Sequence, residues 1–229
     1  LDYLSQNFTS NGWSTKKLVK EIVLSRTYRL SSSDQELLQN TDPDNVFRSS
    51  MSPRPLPAEA IRDAILVASG QLEGGRISSM LPGAASSDSA LQNAKLDYET
   101  IVNPRVRSVY IPIFREEGRN PLLNVFDFAN PSFTVGRRVP GVRPTQSLYL
   151  MNNEWIMDQA HVAAASLLAL GEQSNVKRLT WAYMATLSRE PRAAETDIAL
   201  KFLNDPENKQ TPLMAWEGIY HALFSCVDF

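Results

Sequence analysis

FDFANPSFTVGRR, residues 126–138, decides how this chain folds, because it carries core-type side chains without the period of a helix or a strand. A non-helical segment must still satisfy its backbone N–H and C=O groups, and Asp, Asn and Arg side chains can do so. We therefore predict that the segment is an internal clasp between an earlier and a later group of helices. The clasp residues are expected to be three aromatic anchors, a glycine with positive φ or close contacts, and an arginine: Phe126, Phe128, Phe133, Gly136 and Arg138.

The same loop could line a cleft, because loops pinned on a rigid scaffold often carry binding residues. A second charged group, Glu59, Arg62 and Asp63, falls on one helical turn. An arginine beside two carboxylates can hold an anionic or sugar-like ligand, or it can form an ion-pair network that pins its helix to the middle of the chain. If the chain has a ligand site, we expect Arg62, Asp63, Asp127 and Arg137 to converge on one pocket with perturbed titration.

Most of the remaining chain has helical periodicity with clear start and stop signals. Ser14 caps one predicted helix, a capping box of Ser33 and Glu36 begins another, and Thr145 is predicted to cap a third. Further predicted helices cover 57–69, 146–170 with a break at 152–153, 174–188, 191–203 and 212–226. Residues 105–114 alternate like a strand, and Pro112 confines them to an edge strand or to an isolated extended segment.

These elements predict a mostly α fold: a multi-helix, orthogonal or bundle-like single domain, 1–229, with at most a short β element. Its parts are N-terminal helices in 1–70, an irregular insertion in 71–104, an extended segment and clasp loop in 105–144, and C-terminal helices in 145–229. The chain starts without Met and in the middle of a helical pattern, so we expect it to be a fragment of a longer multidomain chain.

Composition excludes several classes of function. Lys and Arg number 23 against 25 Asp and Glu, a net charge of −2, so we expect neither nucleic-acid binding nor recruitment to an anionic membrane. No apolar run is long enough for membrane insertion. A lone Cys226 with only His161 and His221 excludes a structural zinc or histidine-rich metal centre, and no metal site is predicted.

Acid/base chemistry has little support in the sequence. Glu116 and Glu117, flanked by Arg115 and Arg119, could act as an acid/base pair if buried, but adjacent acids of this kind usually mark a solvated turn. The two histidines lie among Ala and Leu on predicted helices, which favours packing or surface roles. The pattern identifies no catalytic residue.

Five ordered motifs resemble the Domain of Unknown Function 1553 family. They are GWSTKKLVKEIVLSRTYRLSS (12–32), RPLPAEAIRDAILVASGQL (54–72), FREEGRNPLLNVFDFANPSFTVGRR (114–138), RPTQSLYLMNNEWIMDQA (143–160) and LSREPRAAETDIALKFL (187–203). The resemblance covers nearly the whole chain and is weakest in 71–104.

The resemblance implies context rather than chemistry. The family forms the C-terminal part of large proteins abundant in planctomycetes, which carry a signal peptide and a cytochrome-c-like domain upstream. It therefore implies an exported protein of the periplasm or cell envelope, with the upstream domains of the parent chain as partners. Haem c is possible in the parent chain, but this fragment has no C-x-x-C-H and is expected to hold no cofactor.

Two functions remain open from the sequence. The favoured one is a non-catalytic helical structural or interaction module of an exported cytochrome-c-containing protein. The alternative is a ligand-binding or hydrolytic part of an envelope enzyme that acts on polysaccharide or another complex substrate. The first predicts an apolar surface patch without a deep polar cleft, and the second predicts that the four charged residues meet in one pocket.

Overall fold

In a computed structural model of the chain, the described residues are 1–31, 42–52, 54–75, 104–113, 120–138, 141–172, 174–226 and 228–229. They form two compact units, 1–55 and 56–229, and each is described here by itself. The described parts are mostly helical and contain no strand, which confirms the predicted fold class. The prediction of a single domain stays a prediction. The capping box at Ser33 and Glu36, the Glu116–Glu117 pair and most of the 71–104 insertion lie outside the described residues.

The first unit contains helices α1 (Asp2–Ser10) and α2 (Thr15–Leu24). Gly12, with φ near +70°, turns the chain between them, and the Ser14 side chain accepts a hydrogen bond from the Lys17 N–H, as predicted for the cap. The α2 helix ends at Leu24, because Ser25 adopts an extended conformation.

The second unit contains eight described helices and one 3₁₀ turn. The helices are α3 (Ala58–Ala68), α4 (Pro121–Val125), α5 (Pro144–Asn152), α6 (Glu154–Ala169), α7 (Asn175–Leu187), α8 (Ala193–Asn204), α9 (Pro206–Gln210) and α10 (Pro212–Phe224). The predicted break at 152–153 separates α5 from α6. The predicted cap at Thr145 is wrong: Arg143 is the N-cap and Pro144 takes the first helical position, where its missing N–H costs nothing.

Helices α6 and α10 form the centre of the second unit, where they pack most extensively on each other. The buried face of α6 recurs at helical spacing as Ile156, Gln159, Ala160, Ala163, Ala164 and Leu167. The small alanines let the backbone of α10 come close, and Trp216 and Phe224 of α10 fill the remaining space. Helices α3 and α7 pack onto this pair, with Ile65 and Leu179 fully buried.

The strand predicted for 105–114 is wrong over the described residues. Residues 104–113 form an irregular segment with a 3₁₀ turn, Ser108–Tyr110, in its middle. Side chains of α3 take the backbone groups that a neighbouring strand would otherwise satisfy. The alternation of apolar residues therefore accompanies an irregular segment that pairs with no strand among the described residues.

The loop 126–138 agrees with the predicted clasp only in its first half. Phe126 and Phe128 pack against the hydrophobic core, as expected. Phe133 is 72% exposed, so its predicted anchoring is wrong. A turn at Asn130, whose carbonyl oxygen accepts from the Phe133 N–H, carries the rest of the loop onto the surface.

The predicted role of Gly136 is also wrong. Its φ is not positive, and an added Cβ would meet nothing within 4 Å. The positive φ in this loop belongs instead to Asp127, at 56°. The clasp role of the segment as a whole stays a prediction.

Candidate functional site

Arg62 is the most deeply buried charged side chain among the described residues, with an exposed fraction of 0%. Its Nη1 donates to the backbone oxygen of Val106 at 2.9 Å, and its Nη2 donates to the backbone oxygen of Pro104. Desolvation lowers the pKa of the guanidinium to about 10, although the charge of Asp63 opposes the shift. Arg62 therefore stays protonated at neutral pH and holds the chain's own carbonyl groups.

Asp63 completes this arrangement on the next position of α3. Its Oδ1 accepts hydrogen bonds from the Ser108 N–H at 2.8 Å and from the Ser108 hydroxyl at 2.7 Å. The same oxygen lies 3.8 Å from Nη1 of Arg62. The two neighbouring residues thus bind both ends of one backbone segment, 104–108, to α3.

Asp127 lies in a different cluster, at the start of α5. Its Oδ2 accepts from the Gly141 N–H at 2.9 Å, and its Oδ1 lies 3.2 Å from Nη2 of Arg143. Gln146 also approaches Oδ2, at 3.5 Å, while donating to the backbone oxygen of Val125. These bonds compensate for the left-handed backbone that Asp127 adopts, a conformation that Asp tolerates better than most residues.

Arg138 links the clasp loop to α3. Its Nη1 contacts both carboxylate oxygens of Glu59, at 2.7 and 2.9 Å, and its Cζ lies 4.4 Å from the centre of the Phe128 ring. A guanidinium over an aromatic face gains cation–π attraction in addition to its ion pair. Arg138 thus ties the end of the loop to α3 through a carboxylate and not through backbone groups, and its role in a clasp stays a prediction.

The described contacts do not join the four predicted ligand-binding residues. Arg62 and Asp63 are neighbours, Asp127 belongs to the cluster at α5, and Arg137 is exposed, with no hydrogen bond or ion pair to any described residue. None of them is among the lining residues of three cavities, which lie within 183–228, 197–205 and 111–128. Arg62 and Asp63 are occupied by backbone groups, and the prediction that the four share one pocket stays a prediction.

The histidines lie on two helices that face each other. Nδ1 of His161 on α6 is 2.8 Å from Oε2 of Glu217 on α10, and both side chains are substantially exposed. Nε2 of His221 is 3.1 Å from the backbone oxygen of Leu150. Neither histidine has a hydroxyl or thiol within hydrogen-bonding distance among the described residues, which gives no support to a nucleophile–base pair.

A cavity of about 600 Å³ lies between α7, α8 and α10, at a place for which the sequence predicted no site. We call it the α8 groove; its apolar lining includes Leu187, Ile198, Ala199, Phe202, Ala222 and Leu223. Gly218 of α10 faces Phe202, so no side chain of α10 fills the space at that point. Ile198 is 70% exposed and Phe202 43% exposed, so the groove presents large apolar side chains to its opening.

Charged residues occupy one end of the α8 groove. Arg189 donates to Glu195 through two bonds, at 2.8 and 2.7 Å, and to Oδ2 of Asp228 at 2.7 Å. Its Cζ lies 5.4 Å from the centre of the Tyr183 ring. The hydrogen bond from Arg189 is the main cause that lowers the pKa of Glu195 to about 2, so this carboxylate is ionised at neutral pH.

A single local pattern in the sequence points to part of this groove. Arg189 and Glu195 lie in the motif LSREPRAAETDIALKFL, in which Arg192 and Glu195 have the N-cap and N3 spacing of a capping interaction: Glu195 accepts from the Arg192 N–H at 2.7 Å. The third charged residue, Asp228, lies far along the chain, and no local pattern connects it with Arg189.

Membrane-spanning helices and metal-binding clusters are both absent from the described residues. Their helices include none that is both long and apolar enough to cross a membrane. Their His, Cys, Asp and Glu side chains form no group of three that could hold a metal ion.

Comparisons with known proteins give one match. The model of the PSD1 family, described as a protein of unknown function (DUF1553), matches residues 1–203. No curated protein and no solved structure matches the chain. The match covers the clusters around Arg62 and Asp127, while α10 and Asp228, which form one side of the α8 groove, lie beyond it.

Proposed function

The chain belongs to the PSD1 (DUF1553) family of proteins of unknown function, and on that premise we propose that it is a non-catalytic helical structural or interaction module. In this proposal the parent protein is exported to the periplasm or cell envelope, is of the planctomycete type and carries haem c in an upstream domain. The module docks against those upstream domains and holds no cofactor of its own.

The observation that supports this role is that the Arg62 side chain binds backbone groups of the chain itself. An arginine that binds a ligand must be accessible, whereas Arg62 is fully buried and its two terminal nitrogens donate to the backbone oxygens of Pro104 and Val106, so that only its buried Nε lacks a partner. Asp63 is occupied in the same way by Ser108. The charged residues best suited to a polar cleft thus stabilise the fold instead.

Exposed apolar side chains give secondary support. Leu148 and Met151 lie three residues apart on α5, and Trp181 and Met184 lie three apart on α7, so each pair shares a helix face, and all four are exposed. Apolar pairs of this kind are suited to contact with another domain.

The direct test measures association with the upstream segment of the same parent protein. That segment, produced separately with its haem, is titrated into this chain by isothermal calorimetry. We expect saturable binding with one site per chain, and binding should persist in Arg137→Ala, because that side chain is exposed and contacts no described partner.

Enzymatic activity would contradict the proposal. The chain is incubated with a panel of soluble polysaccharides, alone and with the upstream segment, and reducing ends are counted. We expect no release above the rate of the upstream segment alone. Release that Arg137→Ala abolishes while leaving the circular dichroism spectrum unchanged would show that a catalytic or substrate-binding site exists, and the module proposal would be wrong.

A further inference from the structure

We propose that α2 and the residues next to it bind the surface of an anionic lipid bilayer without crossing it. The inference goes beyond the docking role of the module, because it concerns the unit 1–55 alone. Three observations support it: the charge of residues 12–30, the side of α2 on which its exposed residues lie, and the aromatic residues on either side of this helix.

Residues 12–30 carry a local excess of positive charge. They contain a single acidic residue, Glu21, whereas their basic residues are Lys16, Lys17, Lys20, Arg26 and Arg29, all of them exposed. None of these basic side chains forms an ion pair with a described residue. The expectation of no recruitment to an anionic membrane rested on the net charge of −2 for the whole chain, and this segment departs from that average.

The exposed residues of α2 lie on the side of the helix that faces away from α1. Glu21 marks the side towards α1, since its Oε1 accepts hydrogen bonds from the Tyr3 hydroxyl at 3.0 Å and from the Asn7 amide at 2.6 Å. The helical repeat of about 3.6 residues places four exposed residues on the other side. We call them the basic face of α2: Lys16, Val19, Lys20 and Val23.

This combination of charge and apolar surface fits a lipid bilayer better than a nucleic acid or a protein. Val19 is 52% exposed and Val23 is 37% exposed, and a bilayer offers acyl chains to bury them, which a nucleic acid does not. Lysine is depleted at the core of protein–protein interfaces, where an ammonium group loses its hydration. At a bilayer, the flexible lysine side chains keep their ammonium groups among the lipid phosphates while the valines reach the acyl boundary.

Aromatic side chains lie on both sides of α2 along the chain. Trp13, just before the helix, is 69% exposed, and Tyr28, after it, is 51% exposed. The Trp13 ring packs edge-on against Phe8, with 5.4 Å between the ring centres. Trp and Tyr favour the headgroup level of a bilayer, because each combines an apolar ring with a polar group. A lipid surface would also supply burial to a unit whose two helices contain no buried residue.

The experiment measures co-sedimentation of the unchanged chain with two kinds of vesicle: phosphatidylcholine alone, and equimolar phosphatidylcholine and phosphatidylglycerol. We expect binding to the mixed vesicles and none to phosphatidylcholine alone. The triple variant Lys16→Gln, Lys17→Gln and Lys20→Gln should lower the partition coefficient by about 100-fold, since each basic residue near an anionic surface contributes about fivefold.

Two further variants separate the basic face of α2 from net charge. A matched triple variant removes three exposed basic residues of the unit 56–229, and it should bind as the unchanged chain does: Arg107→Gln, Lys201→Gln and Lys209→Gln. The double variant Val19→Ser and Val23→Ser keeps every charge and should lower the partition coefficient by about tenfold, because less apolar surface is buried in the bilayer. Circular dichroism checks that each variant is folded.

Several results would overturn the proposal. Equal binding to the two kinds of vesicle, or no binding to either, would show that no anionic lipid surface is recognised. An equal loss in the two triple variants would show that net charge alone is responsible. If the lysine variant fails to fold, the two vesicle compositions and the valine variant still decide the proposal. Binding of the upstream segment that the lysine variant abolishes, without binding to vesicles, would show that this face accepts a protein.

Discussion

At the scale of single residues, Arg62 shows how a buried charge is compensated. Its guanidinium is fully buried, and two backbone carbonyl groups and Asp63 supply its partners. Trp155 covers it from one side, with the ring centre 5.8 Å from Cζ. The charge is tolerated because the hydrogen bonds of its two terminal nitrogens replace those lost with water, while the buried Nε has no partner.

Arg62→Lys should therefore destabilise the chain even though it keeps the charge. A lysine ammonium cannot reproduce the fork that reaches Pro104 and Val106 together, which leaves buried groups without partners. We expect the free energy of unfolding to fall by about 3 kcal/mol, measured by urea denaturation. Arg137→Lys, at an exposed position, is the matched control and should change stability by less than about 0.5 kcal/mol. Equal losses in the two variants would show that Arg62 does not stabilise the fold.

Glu195 should make stability depend on acid pH. Its pKa is lowered from 4.5 to about 2 in the folded chain, mainly by the hydrogen bond from Arg189. A lowered folded-state pKa stabilises the protein above the unfolded-state value, and this contribution is lost as the pH falls from about 4.5 towards 2.

The measurement compares the unchanged chain with Glu195→Gln in urea between pH 7 and pH 2.5. We expect the stability difference between them to be largest at neutral pH and to shrink below about 4.5. Glu190→Gln, at an exposed neighbouring position, is the control and should show no such convergence. A difference that stays constant down to pH 2.5 would mean that the Glu195–Arg189 pair does not contribute to stability.

At the scale of elements, segment 104–111 is held by a helix instead of a sheet. Asp63 accepts the Ser108 N–H and hydroxyl, Arg62 takes two carbonyl groups, and the Glu73 N–H donates to the backbone oxygen of Arg105. An irregular segment can remain ordered in this way because its polar groups have partners at fixed positions.

Asp63→Ala should loosen this segment locally. The Ser108 amide would lose its acceptor, so we expect its hydrogen exchange to become faster while amides in the centre of α6 keep their rates. Asp158→Ala, at an exposed position on α6, is the control. Unchanged exchange at Ser108 would show that Asp63 does not hold the segment.

The sequence predicted where the helices lie better than it predicted which groups each segment contacts. Helices α5 to α8 and α10 have strong apolar periodicity, and Asn152 and Asn153 correctly indicated the break between α5 and α6. The strand was wrong because alternation indicates an extended chain but does not say what the chain bonds to. The candidate site was missed because the α8 groove depends on three helices and on the distant pair Arg189 and Asp228, which no local pattern reveals.

At the scale of the whole molecule, burial is unevenly distributed. Every described buried residue lies in the unit 56–229, and neither helix of the unit 1–55 contains one. Ordering a residue costs about 1–2 kcal/mol of backbone conformational entropy, which burial must offset. The larger unit has the core to do so, and the described part of the smaller unit does not.

We therefore expect a fragment 56–229 to fold alone and a fragment 1–55 to remain largely unfolded. Circular dichroism with thermal melting checks both fragments against the full chain. Fragment 56–229 should melt cooperatively, whereas 1–55 should show no cooperative transition. A cooperative melt of 1–55 alone, or an unfolded 56–229, would contradict this division of the core.

Gly218 on α10 has no side chain, which leaves a recess between α10 and Phe202 on α8. Glycine inside a helix lowers stability by about 0.8–1.0 kcal/mol relative to alanine, and a Cβ at this position would lie 3.7 Å from the Phe202 ring, an ordinary contact. Gly218→Ala should therefore produce a sturdier protein with a shallower recess beside Phe202. One methyl group would then trade capacity for robustness, so at this position how firmly the chain folds and how much the recess can accommodate change together.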